Sequence, residues 1–308
     1  MLHTGHRGAV TCLGALAEDK CFASGGDDGT IRVFDLRTSS RAPVGAIRLP
    51  GPCAAFVCTN RAIVSAVASS LVEYDLRALA SAMVVSRATR HVAHACADDI
   101  GSVNMAPNGR ALVTADDSGA LTVFNIKTLA VVCRMAAAHA SVASTAMYRP
   151  GNSNVILSGG LDCTVRACEV VHSTEVACTS VTKLANLNGF FNPPHVHTLD
   201  ALRNTLIVGV GDGSLVSMGY GAHATLTGRL RVDVHNACVC HLRVLDKQAL
   251  VVVSVANDAS LAVTTMEQGR VLHRWALPCK PNAVLPLSTT AVLVAGVDGS
   301  VQCFNVLQ

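Results

Sequence analysis

A seven-residue phrase returns along this chain. Ser24-Gly25-Gly26-Asp27-Asp28-Gly29-Thr30 reappears as Ser158-Gly159-Gly160-Leu161-Asp162-Cys163-Thr164. Each copy follows a short apolar run and leads into an alternating one, Ile31-Arg32-Val33-Phe34-Asp35 in the first and Val165-Arg166-Ala167-Cys168-Glu169 in the second. A His stands upstream at nearly the same offset, His6 before Asp28 and His139 before Asp162. Alternation of period two marks a strand, and the Gly- and Asp-rich phrase between runs marks a turn. A recurring strand–turn–strand unit cannot bury its apolar face alone and must stack against copies of itself. The repeat thus points to an array of small sheets.

Counting back six residues from the end of each alternating strand gives anchors at Asp28, Ala68, Ser118, Asp162, Asp212, Asp258 and Asp298. Their spacings are 40, 50, 44, 50, 46 and 40 residues, and the strands end at Phe34, Tyr74, Phe124, Cys168, Met218, Thr264 and Phe304. Seven units fill the 308 residues, so a single domain over 1–308 is expected. Residues 301–306 read as a third strand of the last unit. The leading segment 1–4 is placed to supply its missing outer strand, which would remove an open sheet edge. Proline falls where units should meet, at Pro50-Gly51-Pro52, at Asn192-Pro193-Pro194 after the polar stretch 175–188, and at Pro278, Pro281 and Pro286.

The repeat length, Gly5-His6 near the start of the first unit, and the aromatic–acid or aromatic–amide pairs that close several units resemble the WD40 family, whose repeats run about 40–45 residues. Its Trp-Asp ending is degenerate here, as Phe34-Asp35, Tyr74-Asp75, Phe124-Asn125, Cys168-Glu169 and Phe304-Asn305, and is lost at Met218-Gly219 and Thr264-Thr265. The resemblance implies an all-β fold, a seven-bladed β-propeller closed by pairing of the N-terminal strand with the last blade. Ala115-Asp116-Asp117-Ser118-Gly119-Ala120-Leu121, the Ser158 phrase, and Phe191-Asn192-Pro193-Pro194-His195-Val196-His197 narrow it to one type within the family, as does the short second blade ending Tyr74-Asp75-Leu76-Arg77. The long charged insert that some relatives of that type carry late in the chain is missing.

A trio of His, Ser and Asp occurs three times at fixed spacing: His6/Ser24/Asp28, His139/Ser158/Asp162 and His235/Ser254/Asp258. A turn Asp can accept backbone N–H groups and an imidazole N–H together, and a buried pair of this kind must be fully hydrogen-bonded. The same residue types serve hydrolases. Three copies at the blade period read as a scaffold device instead, and no Gly-x-Ser-x-Gly elbow is present. No enzyme activity is expected.

Half the residues are hydrophobic and 15% are charged, which suits many half-buried strands. No apolar run reaches 18 residues, and 250–256 is only strand length, so no membrane span is expected. A leading segment carrying His3, His6 and Arg7 is not a signal core. The thirteen Cys are scattered among Val and Ala like small hydrophobes, which favours a reducing compartment, cytoplasmic or nuclear. A net charge of +3 without a basic block, together with one Trp, three Tyr and seven Phe, argues against nucleic acid.

The sharpest candidate for function is Phe34-Asp35-Leu36-Arg37. Residues 22–37 resemble the box by which WD40 receptors dock on the propeller adaptor of cullin-4 RING ubiquitin ligases, with Trp replaced by Phe34. The resemblance implies a docking set of Asp28, Phe34, Asp35 and Arg37, repeated in part by Asp75 and Arg77. An Arg just past a strand offers a planar fork to carboxylates and carbonyls; the alternative is that it pairs with Asp35 or a neighbouring strand and serves blade packing. Four other groups read as structure. His235, Cys238, Cys240 and His241 lack the spacing of a zinc site. His195 with His197, and His91 with His94, suit propeller hydrogen bonding. Gly209-Val210-Gly211-Asp212-Gly213 lacks the spacing and helix of a phosphate loop.

The expected function is a non-catalytic scaffold, a cullin-4 ligase substrate receptor whose partners are the adaptor and a substrate protein. The alternative is a scaffold in another assembly, for chromatin, RNA processing or trafficking. No cofactor, metal, nucleic acid or membrane is expected, and the chain is expected to be monomeric on its own.

Overall fold

The computed structural model describes residues 2–3, 5–16, 21–38, 40–184, 193–221 and 225–306. Met1, Thr4, residues 185–188 and Phe191-Asn192, which entered the sequence reading, lie outside them. Regular structure among the described residues is nearly all strand, broken only by 3-10 turns at Leu76–Ala80 and Val181–Leu184. The strands form seven sheets, antiparallel but for one short parallel pairing, and the fold is a seven-bladed β-propeller.

Contacts divide the chain into two compact units, Met1–Ile100 with Pro281–Gln308, and Gly101–Lys280. The first unit holds blades one, two and seven. Blade one runs Val10–Leu16, Cys21–Gly26, Thr30–Asp35 and Gly45–Arg48. Blade two runs Ala55–Cys58, Ala62–Val67, Ser70–Asp75 and Arg90–Val92. Blade seven takes Pro281–Pro286, Ala291–Gly296 and Val301–Asn305 from the end of the chain and Leu2–His3 from its start. Leu2 pairs with Gln302 and His3 with Val301, so the leading strand does complete the last sheet.

The second unit holds four meanders. Blade three runs from Ile100–Met105 to Val131–Met135, and blade four from Ala143–Tyr148 to Thr174–Ser180. Blade five runs from Val196–Leu202 to Leu226–Asp233, and blade six from Val239–Asp246 to Arg270–Ala276.

The cores lie between consecutive sheets. Leu157, Val165 and Ala167 of blade four pack with Val196, Leu199 and Val208 of blade five. Val10, Phe22 and Phe34 of blade one pack with Ala283, Leu293 and Ala295 of blade seven. A strand covered on both faces has no need of polar alternation, which is why Val251–Ala256 is buried along its whole length. The closing strand adds to this packing. His3 meets Phe22 and Phe34 edge-on at centroid distances of 5.2 and 5.3 Å, and those two rings stack 4.8 Å apart. Phe34 thus fills an aromatic niche at the position where the family pattern places Trp.

One element was not legible. Val84–Val85 leaves blade two and pairs in parallel with Gly45–Arg48, giving blade one a fifth strand. Leu79, on the turn before it, packs so near Gly45 that a Cβ there would fall 3.0 Å from Leu79 Cδ2.

Candidate functional site

The recurring phrase folds into a tight hairpin whose carboxylate organises one end of blades one and four. In blade one, His6 Nδ1–H donates to Asp28 Oδ1 at 3.0 Å and its Nε2 accepts from the buried Ser24 hydroxyl at 2.8 Å. Asp28 also accepts from the Arg7 and Thr30 amides and from the Thr30 hydroxyl at 2.7 Å. Blade four repeats this with His139, Ser158, Asp162, Thr164 and the Ala140 amide at 2.7 to 3.1 Å. Burial alone would push Asp28 and Asp162 upward, but these donors hold both carboxyls down at about 2. Burial likewise lowers His6 and His139, keeping the imidazoles neutral.

The two glycines of the phrase answer to different neighbours. A Cβ on Gly25 would sit 2.5 Å from the Cys53 sulfur and 2.7 Å from the Cys12 sulfur, so the next blade packs directly on its backbone. A Cβ on Gly26 would sit 2.7 Å from His6 Nδ1 and would displace the ring from Asp28.

The third trio departs from this plan. His235 Nδ1 lies 3.7 Å from Asp258 Oδ1 and bonds instead to the Ser260 hydroxyl at 2.6 Å, which in turn donates to Asp258. Its Nε2 keeps the Ser254 contact at 2.8 Å. Desolvation in this buried position lowers His235 to about 4. In blades one and four a Thr hydroxyl occupies the position of Ser260, but it lies 3.3 Å from the ring nitrogen, and there the ring bonds the acid directly.

The turn acid extends beyond the trios. Asp212 and Asp298 each accept from the amide and hydroxyl of a Ser two residues on. In blade three the role falls to the buried Asp116, which accepts from Ser118 and Ala120. The anchor Ser118 is its donor. An Arg sits beside most of these acids: Arg32 at Asp28, Arg166 at Asp162, Arg231 at Asp212 and Arg274 at Asp258.

Arg37 lies past the other end of the strand Thr30–Asp35. Its Nε donates to both oxygens of Asp35 at 2.9 and 3.2 Å, its Nη2 donates at 2.7 Å, and its own amide donates at 2.9 Å. Arg77 repeats the arrangement on Asp75 at the end of Ser70–Asp75, with the amide at 2.9 Å and Nε at 3.0 Å from both oxygens. The paired guanidinium holds each Asp at about 2. The acids are partly covered, while the Arg side chains are 65% and 72% exposed. Consecutive blades therefore present the same braced, outward guanidinium at the same end of the same strand.

The remaining candidates have local roles. Cys240 Sγ donates to Asn257 Oδ1 at 3.1 Å, and burial pushes Cys238 and Cys240 up to about 11 and 12, which holds both as thiols. His195 lies 3.6 Å from the Cys163 sulfur, and its ring centroid is 6.3 Å from that of His197. Gly211-Asp212-Gly213 forms a hairpin turn between Thr205–Val210 and Ser214–Tyr220. No group of three or more metal-ligating side chains occurs among the described residues. No helix among them is long and apolar enough to cross a membrane.

The WD domain, G-beta repeat family matches residues 1–35, which carry the first His/Ser/Asp trio and the strand ending in Phe34-Asp35. A WD repeat-containing protein 53 homolog from Dictyostelium discoideum is 22% identical over 232 residues. The match covers 69% of this chain and 62% of the relative's own length. It is the same type that the blade-three and blade-four phrases single out. The two matches support the WD40 family for this chain, with a resemblance to WD repeat-containing protein 53.

Proposed function

We propose that this protein is a substrate receptor that docks on the propeller adaptor of a cullin-4 RING ubiquitin ligase through Arg37, with Arg77 as a second contact. The broader part of the reading rests on the fold: a WD40 propeller supports a protein-interaction scaffold, and the family generally acts without catalysis of its own. The observation that carries the finer part is the pair of braced guanidinia. A side chain that is already ordered loses less entropy when it binds, and a planar fork suits carboxylate and carbonyl acceptors. Asp28 and Phe34 contribute by fixing the strand that carries Arg37, one at its turn and one in the aromatic niche beneath it.

The test is capture of the purified adaptor by wild type, Arg37→Ala, Arg77→Ala and the double variant. Affinity is expected to fall at least about tenfold in Arg37→Ala and further in the double variant. Unchanged capture by the double variant overturns the docking role and leaves the chain a scaffold for another assembly.

A further inference from the structure

The end of blade one opposite Arg37 carries a cavity of about 520 Å³, within the range typical of ligand pockets. Three guanidinium side chains line it, Arg7, Arg32 and Arg48, together with the carboxylates of Asp27 and Asp28. We propose that this cavity docks an acidic segment of a partner protein, one Asp or Glu carboxylate entering among the three arginines.

The charges favour a monoanion. Three cations against two carboxylates leave one positive charge in the cavity. Asp28 is already saturated by Thr30, His6 and the Arg7 amide, and Arg32 stands 3.7 Å from it. The Nε of Arg32 is buried and has no hydrogen-bond partner among the described residues. That nitrogen is closed to a ligand, but the Arg32 side chain keeps 20% of its surface open, and an incoming carboxylate meets that part. A dianionic phosphate would face Asp27 and Asp28 with only one net charge in its favour.

The walls are preorganised. Arg32 lies against the backbone of Gly5, where a Cβ would fall 3.1 Å from its Cδ. The turn at Gly29, with φ +69, is tied to the opposite wall by the Leu49 amide donating to the Gly29 carbonyl at 2.8 Å and the Cys53 amide to Gly26 at 3.1 Å. Pro50 and Pro52 stiffen that wall and give the cavity an apolar rim for the backbone flanking the acid. Arg7 and Arg48 are exposed at the mouth, where a peptide would meet them first. Strand Thr30–Asp35 separates this cavity from the Asp35–Arg37 pair by about 17 Å at the usual rise per residue, so the two ends can engage different chains and can be tested apart.

The experiment is fluorescence polarisation with a labelled peptide of alternating Glu and Gly. Matched peptides carry Gln or phosphoserine in place of Glu, and the proteins are wild type, Arg48→Glu, Arg7→Ala and Arg37→Ala. Arg48→Glu changes an exposed side chain and leaves the Asp28 network intact, and Arg7→Ala keeps the amide that Asp28 uses. The Glu peptide is expected to bind wild type, to weaken at least about tenfold on Arg48→Glu and less on Arg7→Ala, to weaken with added salt, and to be unaffected by Arg37→Ala. The Gln peptide is expected not to bind. The proposal is overturned by no binding of the Glu peptide, by equal binding to Arg48→Glu, by tighter binding of the phosphoserine peptide, or by loss of binding in Arg37→Ala.

Discussion

Asp35 receives Arg37 on both carboxylate oxygens and its amide as well, so the side chain two residues on is oriented before any partner arrives. The Asp35 side chain is 14% exposed and that of Arg37 65%. This geometry makes Asp35 a positioning residue for Arg37. Asp35→Asn keeps the amide contact but loses the charged fork, and adaptor affinity is expected to fall several-fold while the thermal midpoint stays near wild type. Arg37→Lys, a compact cation without a fork, should not restore binding. Full capture by both variants would show that the pair is mere surface decoration.

The buried serines offer a second prediction. Ser24→Ala and Ser158→Ala each remove the hydroxyl that serves a buried imidazole Nε2. Each is expected to cost about 1–3 kcal/mol, the usual penalty for an orphaned buried acceptor. Urea unfolding of the two variants checks this. A change within error in both would mean that water replaces the hydroxyl.

A third prediction concerns pH. His6, His139 and His197 are lowered from 6.5 by burial, and His235 falls to about 4. The unfolded chain binds protons at these sites before the folded one does, so stability is fully present above pH 6.5 and declines as pH falls toward 4. Asp28 and Asp162, lowered from 3.8 to about 2, contribute in the same direction: their stabilisation is present above 3.8 and is lost as pH falls toward 2. The urea midpoint should therefore fall steadily on acidification from pH 7.5. A midpoint that is flat or rising between pH 7.5 and 5 contradicts the neutral-imidazole assignment.

The closing strand can be probed through His3, which is 2% exposed. His3→Ala removes two edge-on ring contacts and leaves a void over Phe22 and Phe34. A loss of about 2 kcal/mol is expected from the ring pairs and the cavity together. Differential scanning calorimetry on this variant reads it out, and an unchanged midpoint would mean that the strand carries no stabilising packing.

Sequence reading succeeded where a feature was local and periodic. The spacing from His6 to Ser24 to Asp28 is set by one loop and one hairpin, so the trio could be read from residue order. The glycines of the phrase could be seen but not explained, because their reasons, Cys53 of the next blade and the His6 ring, lie outside the hairpin. The spacing anchor in blade three, Ser118, is not the acid: the carboxylate there stands two residues earlier, on the strand end, and reaches the same turn from there, which counting alone does not show. Val84–Val85 is too short to leave a periodic signal. The cavity was invisible for a related reason: Arg7, Arg32 and Arg48 come from three separate segments, and each alone reads as a solvated surface charge.

Val84–Val85 also limits what blade one can accept. By lying alongside Gly45–Arg48 and receiving the Ala46 amide on the Met83 carbonyl, it occupies the backbone groups that an outside polypeptide would need in order to extend that sheet. Strand addition on Gly45–Arg48 is thereby obstructed, and the side chains at the two tips of blade one remain to discriminate between visitors.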